Sequence, residues 1–374
     1  MLRKGIPAIV VRTLIYAYQE QEACVKLVGK SSTKFQITNG TRQGSVLSPY
    51  LFAACYLDDL QTKLRSLGLG CHIAGVWVGC CSYADDLALL APNNEVLQKM
   101  VQICEEYGIE HNIKFSTDPN PSKSKTKCLL FCGKNYRGEM PAPVMLDGKE
   151  LPWVNTVEHL GHVLDKTLEM DADVSRARAS FMRRASDVRD QLSFATPDQR
   201  MNAINLYCCD AYGSMIWDLD SDSAESFYKA WNIQARYSWN ISAMTHTYLV
   251  ENYFCDNLKS LKNQVLGRYA NFARKLQCSP SREIRFMYAI LVNDARSQLY
   301  SNLNYLRQLT NVDPVTTNIC EFKSLLPREL LPQIEQWRIR WLNVLLEARR
   351  TNNFTALNID KDICNSMLDS ICIT

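Results

Sequence analysis

Tyr83-Ala84-Asp85-Asp86, preceded by Val76-Trp77-Val78 and followed by Leu87-Ala88-Leu89-Leu90, is the stretch that decides the fold. The two apolar runs read as the strands of a hairpin and the four residues between them as its tip. Along a regular strand neighbouring side chains point to opposite faces, whereas at a reversing tip both carboxylates can project from one end. Two exposed carboxylates repel each other unless a cation neutralises them, and hard divalent ions such as Mg²⁺ prefer oxygen ligands. Taken alone, the string also fits an ordinary polar turn, because aspartate is a common turn residue.

Upstream lies Arg42-Gln43-Gly44-Ser45-Val46-Leu47-Ser48-Pro49-Tyr50-Leu51-Phe52. Gly44 permits close backbone approach, and Arg42 offers a fork that matches phosphate. Ser48 can cap a helix whose first residue is Pro49. A helix start facing a polar loop favours anions such as a triphosphate, although a plain loop into a helix reads the same way. The spacing of Ala53, Leu57, Leu60, Leu64 and Leu67 predicts one helix from Ser48 to about Leu67.

Further out, residues 7–20 predict a helix with Ile9, Thr13, Tyr16 and Ala17 on one face, and Ala23–Val28 and Lys34–Thr38 predict strands. Glu95–Tyr107 reads as a helix, and Lys127–Cys132, Val144–Met145 and Leu160–Leu164 as strands, with Asp147-Gly148 a turn signal. Beyond Asp165 strand signals nearly vanish and amphipathic helices take over, broken at Ser279-Pro280-Ser281 and Asp313-Pro314. The pattern predicts an α+β part followed by an all-α part.

Composition sets the limits. Apolar residues make up 47% and charged residues 22%, the profile of a globular chain. Lys+Arg 42 against Asp+Glu 39 gives +3, which excludes a uniformly cationic coat but not a local basic groove. No apolar run approaches the roughly 18 residues of a membrane span. Fifteen scattered cysteines without a C-x-x-C array read as free thiols of an intracellular protein of nucleus or cytoplasm. Cys71, His72, His159 and His162 do not complete a zinc set.

The Arg42-Gln43-Gly44 loop and the Tyr83–Asp86 string, in this order, resemble motifs B and C of a reverse transcriptase, and the chain resembles the non-LTR (LINE-type) retrotransposon branch. Leu2-Arg3-Lys4-Gly5-Ile6-Pro7 is similar to the helix entry after motif A. Lys125-Thr126-Lys127 resembles motif D, and Val157-Glu158-His159-Leu160-Gly161-His162-Val163-Leu164 resembles the primer-grip hairpin, with His159 where tyrosine is usual. The resemblance is specific over about residues 1–165, weak to about 260 and absent beyond.

It implies an RNA-directed DNA polymerase with a right-hand palm, built on an antiparallel sheet with helices (1–165), a helical thumb (166–260) and a helical extension (261–374). By the same resemblance Asp85 and Asp86 are metal ligands for two Mg²⁺ ions, and Lys125, or alternatively Lys127, is the general acid. Arg42, Gln43, Gly44, Ser45 and Tyr83 would line nucleotide and template, Leu160 and Gly161 the primer grip. The implied partners are an RNA template, a DNA primer and dNTPs, with no membrane.

One departure stands out. The family's motif A carries a further metal-bridging aspartate before the first helix, so the chain is expected to be truncated ahead of it and to extend a primer poorly by itself. Asp58 and Asp59 read as a solvated helical face rather than substitutes. Arg176 and Arg183, two helical turns apart with Arg178, Arg184 and Arg189 nearby, would suit a helix gripping nucleic-acid backbone. Mixed with Asp173, Asp187 and Asp190 they equally form a solvated face. Trp217, Trp231 and Trp239 read as core, and Ile334, Trp337 and Trp341 as core or a partner face. The alternatives to an enzyme are a catalytically dead nucleic-acid-binding remnant and a host-adopted interaction protein.

Overall fold

The structure, a computed structural model, describes residues 1–19, 21–37, 46–52, 57–118, 120, 123–133, 136–255 and 257–326. The chain divides into two compact units, Met1–Leu130 with Asn135–Val154, and Phe131–Lys134 with Asn155–Thr374. It is α+β, and among the described residues all strands precede residue 166. The Ile334, Trp337 and Trp341 stripe and the Arg42–Ser45 loop lie outside the described residues.

In the first unit, a 3-10 turn (Leu2–Lys4) leads into α1 (Ala8–Gln19). Its expected apolar face is exposed, with Ile9 65% and Tyr16 76% accessible. β1 (Glu22–Ala23) pairs with β4 (Phe35–Gln36) and β2 (Lys26–Leu27) with β3 (Lys30–Ser31). The helix expected over 48–67 is found as α2 (Ser48–Phe52) and α3 (Asp58–Ser66), with residues 53–56 outside the described set. Asp58 and Asp59 therefore stand in the first turn of α3, where carboxylates suit the helix dipole, and Asp58 pairs with Lys4.

Four short strands follow: β5 (His72–Ile73), β6 (Val76–Trp77), β7 (Cys80–Tyr83) and β8 (Asp86–Leu89). The expected pairing of Val76–Val78 with Leu87–Leu90 does not occur. β6 turns back on β5, and β8 pairs with β7. Ala74-Gly75 provides a tight turn only two residues long, so each apolar run finds its partner locally. α4 (Asn94–His111) starts at Asn93, whose side chain accepts from the Val96 amide at 2.9 Å. Met100, Cys104 and Tyr107, on one face, pack with Leu60 and Leu64 of α3, Leu57 just before it and Cys80 from β7. Val101, on another face, packs with Cys128, Val144, Leu146 and Leu151. These come from β9 (Cys128–Leu129), β10 (Val144–Leu146) and β11 (Lys149–Leu151), and β12 (Trp153–Val154) runs parallel to β9. The expected palm sheet is thus seen, among the described residues, as two-stranded ladders, one of them parallel.

The second unit opens with the hairpin of β13 (Thr156–His159) and β14 (His162–Asp165). Leu160 and Gly161, expected in a strand, form its turn, because both take positive φ (50° and 77°). Helices follow: α5 (Asp171–Gln191), α6 (Pro197–Tyr207), a 3-10 turn (Ser214–Ile216), α7 (Asp222–Trp239) and α8 (Thr247–Leu249), which runs into a π-helical turn (Val250–Phe254). Then come α9 (Leu261–Gln277), α10 (Arg282–Leu291), α11 (Gln298–Thr310) and α12 (Ile319–Leu325). The α9–α10 break falls at Ser279-Pro280-Ser281, with Ser281 capping α10. Phe181, Trp217, Phe227, Trp231, Tyr269 and Phe322 are all essentially fully buried in one core that joins helices on both sides of residue 260. At roughly 1.5–3 kcal/mol for each large apolar side chain buried, this core is the main stabilising term of the unit. Among the described residues no helix is long and apolar enough to cross a membrane.

Candidate active site

The β7–β8 ladder runs Cys80↔Leu89, Cys81↔Ala88, Ser82↔Leu87 and Tyr83↔Asp86, so Ala84 and Asp85 alone make the turn. Its inner end is anchored: Cys80, Leu87 and Leu89 pack into the α3–α4 core. Burial, reinforced by neighbouring Cys81, pushes the Cys80 thiol up to about 12, which keeps it neutral and structural. Ser82 accepts a hydrogen bond from Gln61 of α3, which steadies the outer half. At the tip Tyr83 is 69% exposed, and Asp85 and Asp86 are exposed.

The turn chemistry is unusual within this chain. Val28-Gly29, Ala74-Gly75, Asp147-Gly148 and Leu160-Gly161 all place glycine second in a turn with positive φ at both positions. Ala84 also adopts φ 51°, but aspartate follows it. A left-handed alanine costs roughly 1–2 kcal/mol, as it does at Ala74, so what sets this turn apart is the aspartate where the others have glycine. Among the described residues neither the Asp85 nor the Asp86 carboxylate has a hydrogen-bond or ion-pair partner, although the Asp86 backbone pairs with Tyr83. The tip therefore presents two adjacent, unneutralised carboxylates on a rigid base.

Lys125 stands apart from this tip in sequence, on the loop between α4 and β9. Buried Ser124 donates to the Thr126 carbonyl at 2.6 Å and shapes that loop, leaving Lys125 exposed. Of the remaining expected site residues, Arg42, Gln43, Gly44 and Ser45 lie outside the described residues, and the others belong to the second unit. Leu160 and Gly161 form the β13–β14 turn, and Arg176 and Arg183 sit on α5. Arg183 is exposed with no partner among the described residues, whereas Arg176 is bonded to Asp173 at 2.8 Å.

Sequence reasoning missed the role of Asp173, placed on a solvated face but fully buried. Its carboxylate accepts from the Trp217 indole (2.8 Å), the Arg176 guanidinium (2.8 and 3.2 Å) and the Val163 amide (3.0 Å), and His162 Nδ1 lies 3.4 Å away. Burial works to raise its pKa, but the bonds from Trp217, Arg176 and Val163, with the Arg176 charge, outweigh it and hold the group below the ordinary aspartate value. Only the Asp173–Arg176 spacing hinted at this, since Trp217 is remote in sequence.

The sequence profile of the reverse transcriptase (RNA-dependent DNA polymerase) family matches residues 4–164. The RNA-directed DNA polymerase from mobile element jockey of Drosophila funebris is 25% identical over 48% of this chain and 19% of its own length. A Pol polyprotein from type-1 retrotransposable element R2 of Nasonia vitripennis is 27% identical over 36% of this chain and 13% of its own length. One from Popillia japonica is 27% identical over 44% and 26%, respectively. Residues 4–164 are thus similar to the reverse transcriptase domain of non-LTR elements. The chain spans about a quarter or less of the length of these relatives.

At the β7–β8 tip the donor set suits a hard divalent cation by its chemistry, since both exposed groups there are carboxylates. The set is also small: among the described residues no group of three or more His, Cys, Asp and Glu is placed to hold a metal ion.

Proposed function

We propose that this chain carries part of the catalytic palm and the thumb of an RNA-directed DNA polymerase acting on an RNA template, a DNA primer and dNTPs. The observation that carries the reading is the glycine-free Ala84-Asp85 turn, which exposes the Asp85 and Asp86 carboxylates without a neutralising partner among the described residues. Asp85 and Asp86 hold divalent metal ions, Mg²⁺ in the cell. Bound there, Mg²⁺ supplies activation of the primer 3′-hydroxyl and charge stabilisation of the departing pyrophosphate.

The chain's own residues do the rest. Tyr83, exposed beside the pair, contacts nucleotide or template together with Arg42, Gln43, Gly44 and Ser45. Lys125 carries a proton on Nζ and delivers it to the pyrophosphate oxygen, a role Lys127 can share. Leu160 and Gly161 hold the primer strand, and Arg183 pairs with backbone phosphate, a task for which Arg176 is less free.

Two carboxylates bring −2 against the +4 of two ions, so turnover needs a further bridging carboxylate, as the family's motif A supplies. The test is a chimera in which the segment preceding the match in a related polymerase is joined to this chain. The chimera should extend a DNA primer on RNA with Mg²⁺, and Asp85→Asn should abolish extension. Extension that survives Asp85→Asn overturns the assignment.

A further inference from the structure

The second unit contains a polar clasp that no part of the nucleotidyl-transfer scheme uses. Asp173, fully buried at the start of α5, binds three elements at once: Val163 and His162 of β14, Arg176 of α5 itself, and Trp217 just after the 3-10 turn. His162 in turn stacks on Tyr212, with ring centroids 4.9 Å apart and 14° between planes. The Tyr212 hydroxyl donates to the Leu160 carbonyl at 3.0 Å. Gly213, at φ 92°, lets the backbone pass the imidazole, and a Cβ there would fall 2.5 Å from His162 Nδ1.

The consequence is a fixed surface. One face of Tyr212 is occupied by His162 and its hydroxyl by Leu160, yet the residue remains 57% exposed. An aromatic ring with one covered face, a satisfied hydroxyl and one open face is a preorganised stacking platform. Such rings bind nucleic-acid bases without sequence preference, because every base has a π-face.

We propose that Asp173 is a positioning residue that locks the Leu160–Gly161 turn and Tyr212 into one strand-holding face, and that the open face of Tyr212 stacks on a base of a bound nucleic-acid strand. This rests on the reading of the β13–β14 hairpin as the primer-holding element and extends it to residues outside that hairpin. Asp173 touches no strand, and its effect passes through His162, Val163 and Trp217.

The test is fluorescence anisotropy of the full chain with a DNA primer annealed to an RNA template. Tyr212→Ala should weaken binding roughly fivefold to a hundredfold, the effect of one stacked base, while Tyr212→Phe, which keeps the ring and loses only the bond to Leu160, should lose less. Asp173→Asn should weaken binding similarly, and the double variant should be no worse than the worse single variant, because one platform is lost only once. If Asp173→Asn does not fold, Trp217→Phe removes one donor and keeps an aromatic ring; it should speed amide exchange at Val163 and weaken binding. Wild-type affinity in a folded Tyr212→Ala, or independent additive losses in the double variant, overturns the proposal while leaving the primer-holding reading intact. Failure of the wild-type chain to bind the primed template at all overturns both.

Discussion

Replacing Gly213 with alanine tests the clasp through its tightest contact. At φ 92° an alanine is strained, at a cost of about 1–3 kcal/mol. Its Cβ would also lie 2.5 Å from His162 Nδ1, an overlap of the kind that costs about 1–3 kcal/mol in a packed interior. The imidazole cannot retreat cheaply, since it lies against Asp173 on one side and Tyr212 on the other. The sum is about 4 kcal/mol, a large part of the roughly 5–15 kcal/mol that holds an ordinary domain together. Gly161→Ala is the control: its φ of 77° carries the strain, but its Cβ would only reach Tyr212 Cε1 at an ordinary 3.5 Å. That variant should lose about 1–2 kcal/mol. The assay is urea unfolding followed by peptide-resolved hydrogen exchange, because two compact units need not unfold together. With a urea slope of about 2–3 kcal/mol per molar, Gly213→Ala should lower the midpoint of peptides from 155–326 by about 1.5 M. Peptides from 57–118 should not move. A Gly213→Ala midpoint equal to that of Gly161→Ala would refute the reasoning, since the overlap with His162 would then cost nothing.

Asp86→Asn removes one of two unpartnered neighbouring carboxylates, so the first unit should be unchanged or stabilised by up to about 0.5 kcal/mol in thermal unfolding while losing response to divalent ions. Acid should act mainly on the second unit. Asp173 and Asp210, the latter through its hydrogen bond and charge pairing with Arg184, both sit below the ordinary aspartate value. Asp313 does too, despite burial, because the Val315 and Thr316 amides and Arg307 bond to it. The stability these groups confer is complete above the unfolded aspartate value near ~4 and is lost as pH falls through their lower folded values. Unfolding midpoints measured from pH 5 to pH 2 should therefore fall steeply for peptides of the second unit, and less steeply in Asp173→Asn, which starts lower. The chain by itself, given Mg²⁺, dNTPs and a primed RNA template, should show little or no extension on a denaturing gel; robust incorporation would show that two carboxylates suffice.

The hairpin tip was legible because two adjacent carboxylates precede an apolar strand run, a pattern that suits a strand end at a turn. α4 was legible for a similar reason: an asparagine cap and a long run of helical spacing are both local signals. The choice of strand partner was not legible. Cys80-Cys81-Ser82 does not look like a strand, and its pairing with β8 depends on packing against α3 and α4. The helical spacing from Ser48 to Leu67 was legible at both described ends, Ser48–Phe52 and Asp58–Ser66, while residues 53–56 lie outside the described residues. Asp173 was misread because burial is decided by Trp217, 44 residues away, and a charged residue among charged neighbours gives no sign of a distant indole. Tyr212 is unmarked in the sequence for the same reason, since its partners Leu160 and His162 lie about 50 residues away.

The most direct test of a metal site at the β7–β8 tip is Fe²⁺-mediated backbone cleavage of the full chain, with Fe²⁺ in place of Mg²⁺ and the fragments mapped by mass spectrometry. Cleavage concentrated within a few residues of Asp85, competed away by excess Mg²⁺ and absent from the Asp85→Asn, Asp86→Asn double variant, is the expected result. A cleavage map with no fragments at this turn, or one that the double variant leaves unchanged, would contradict it.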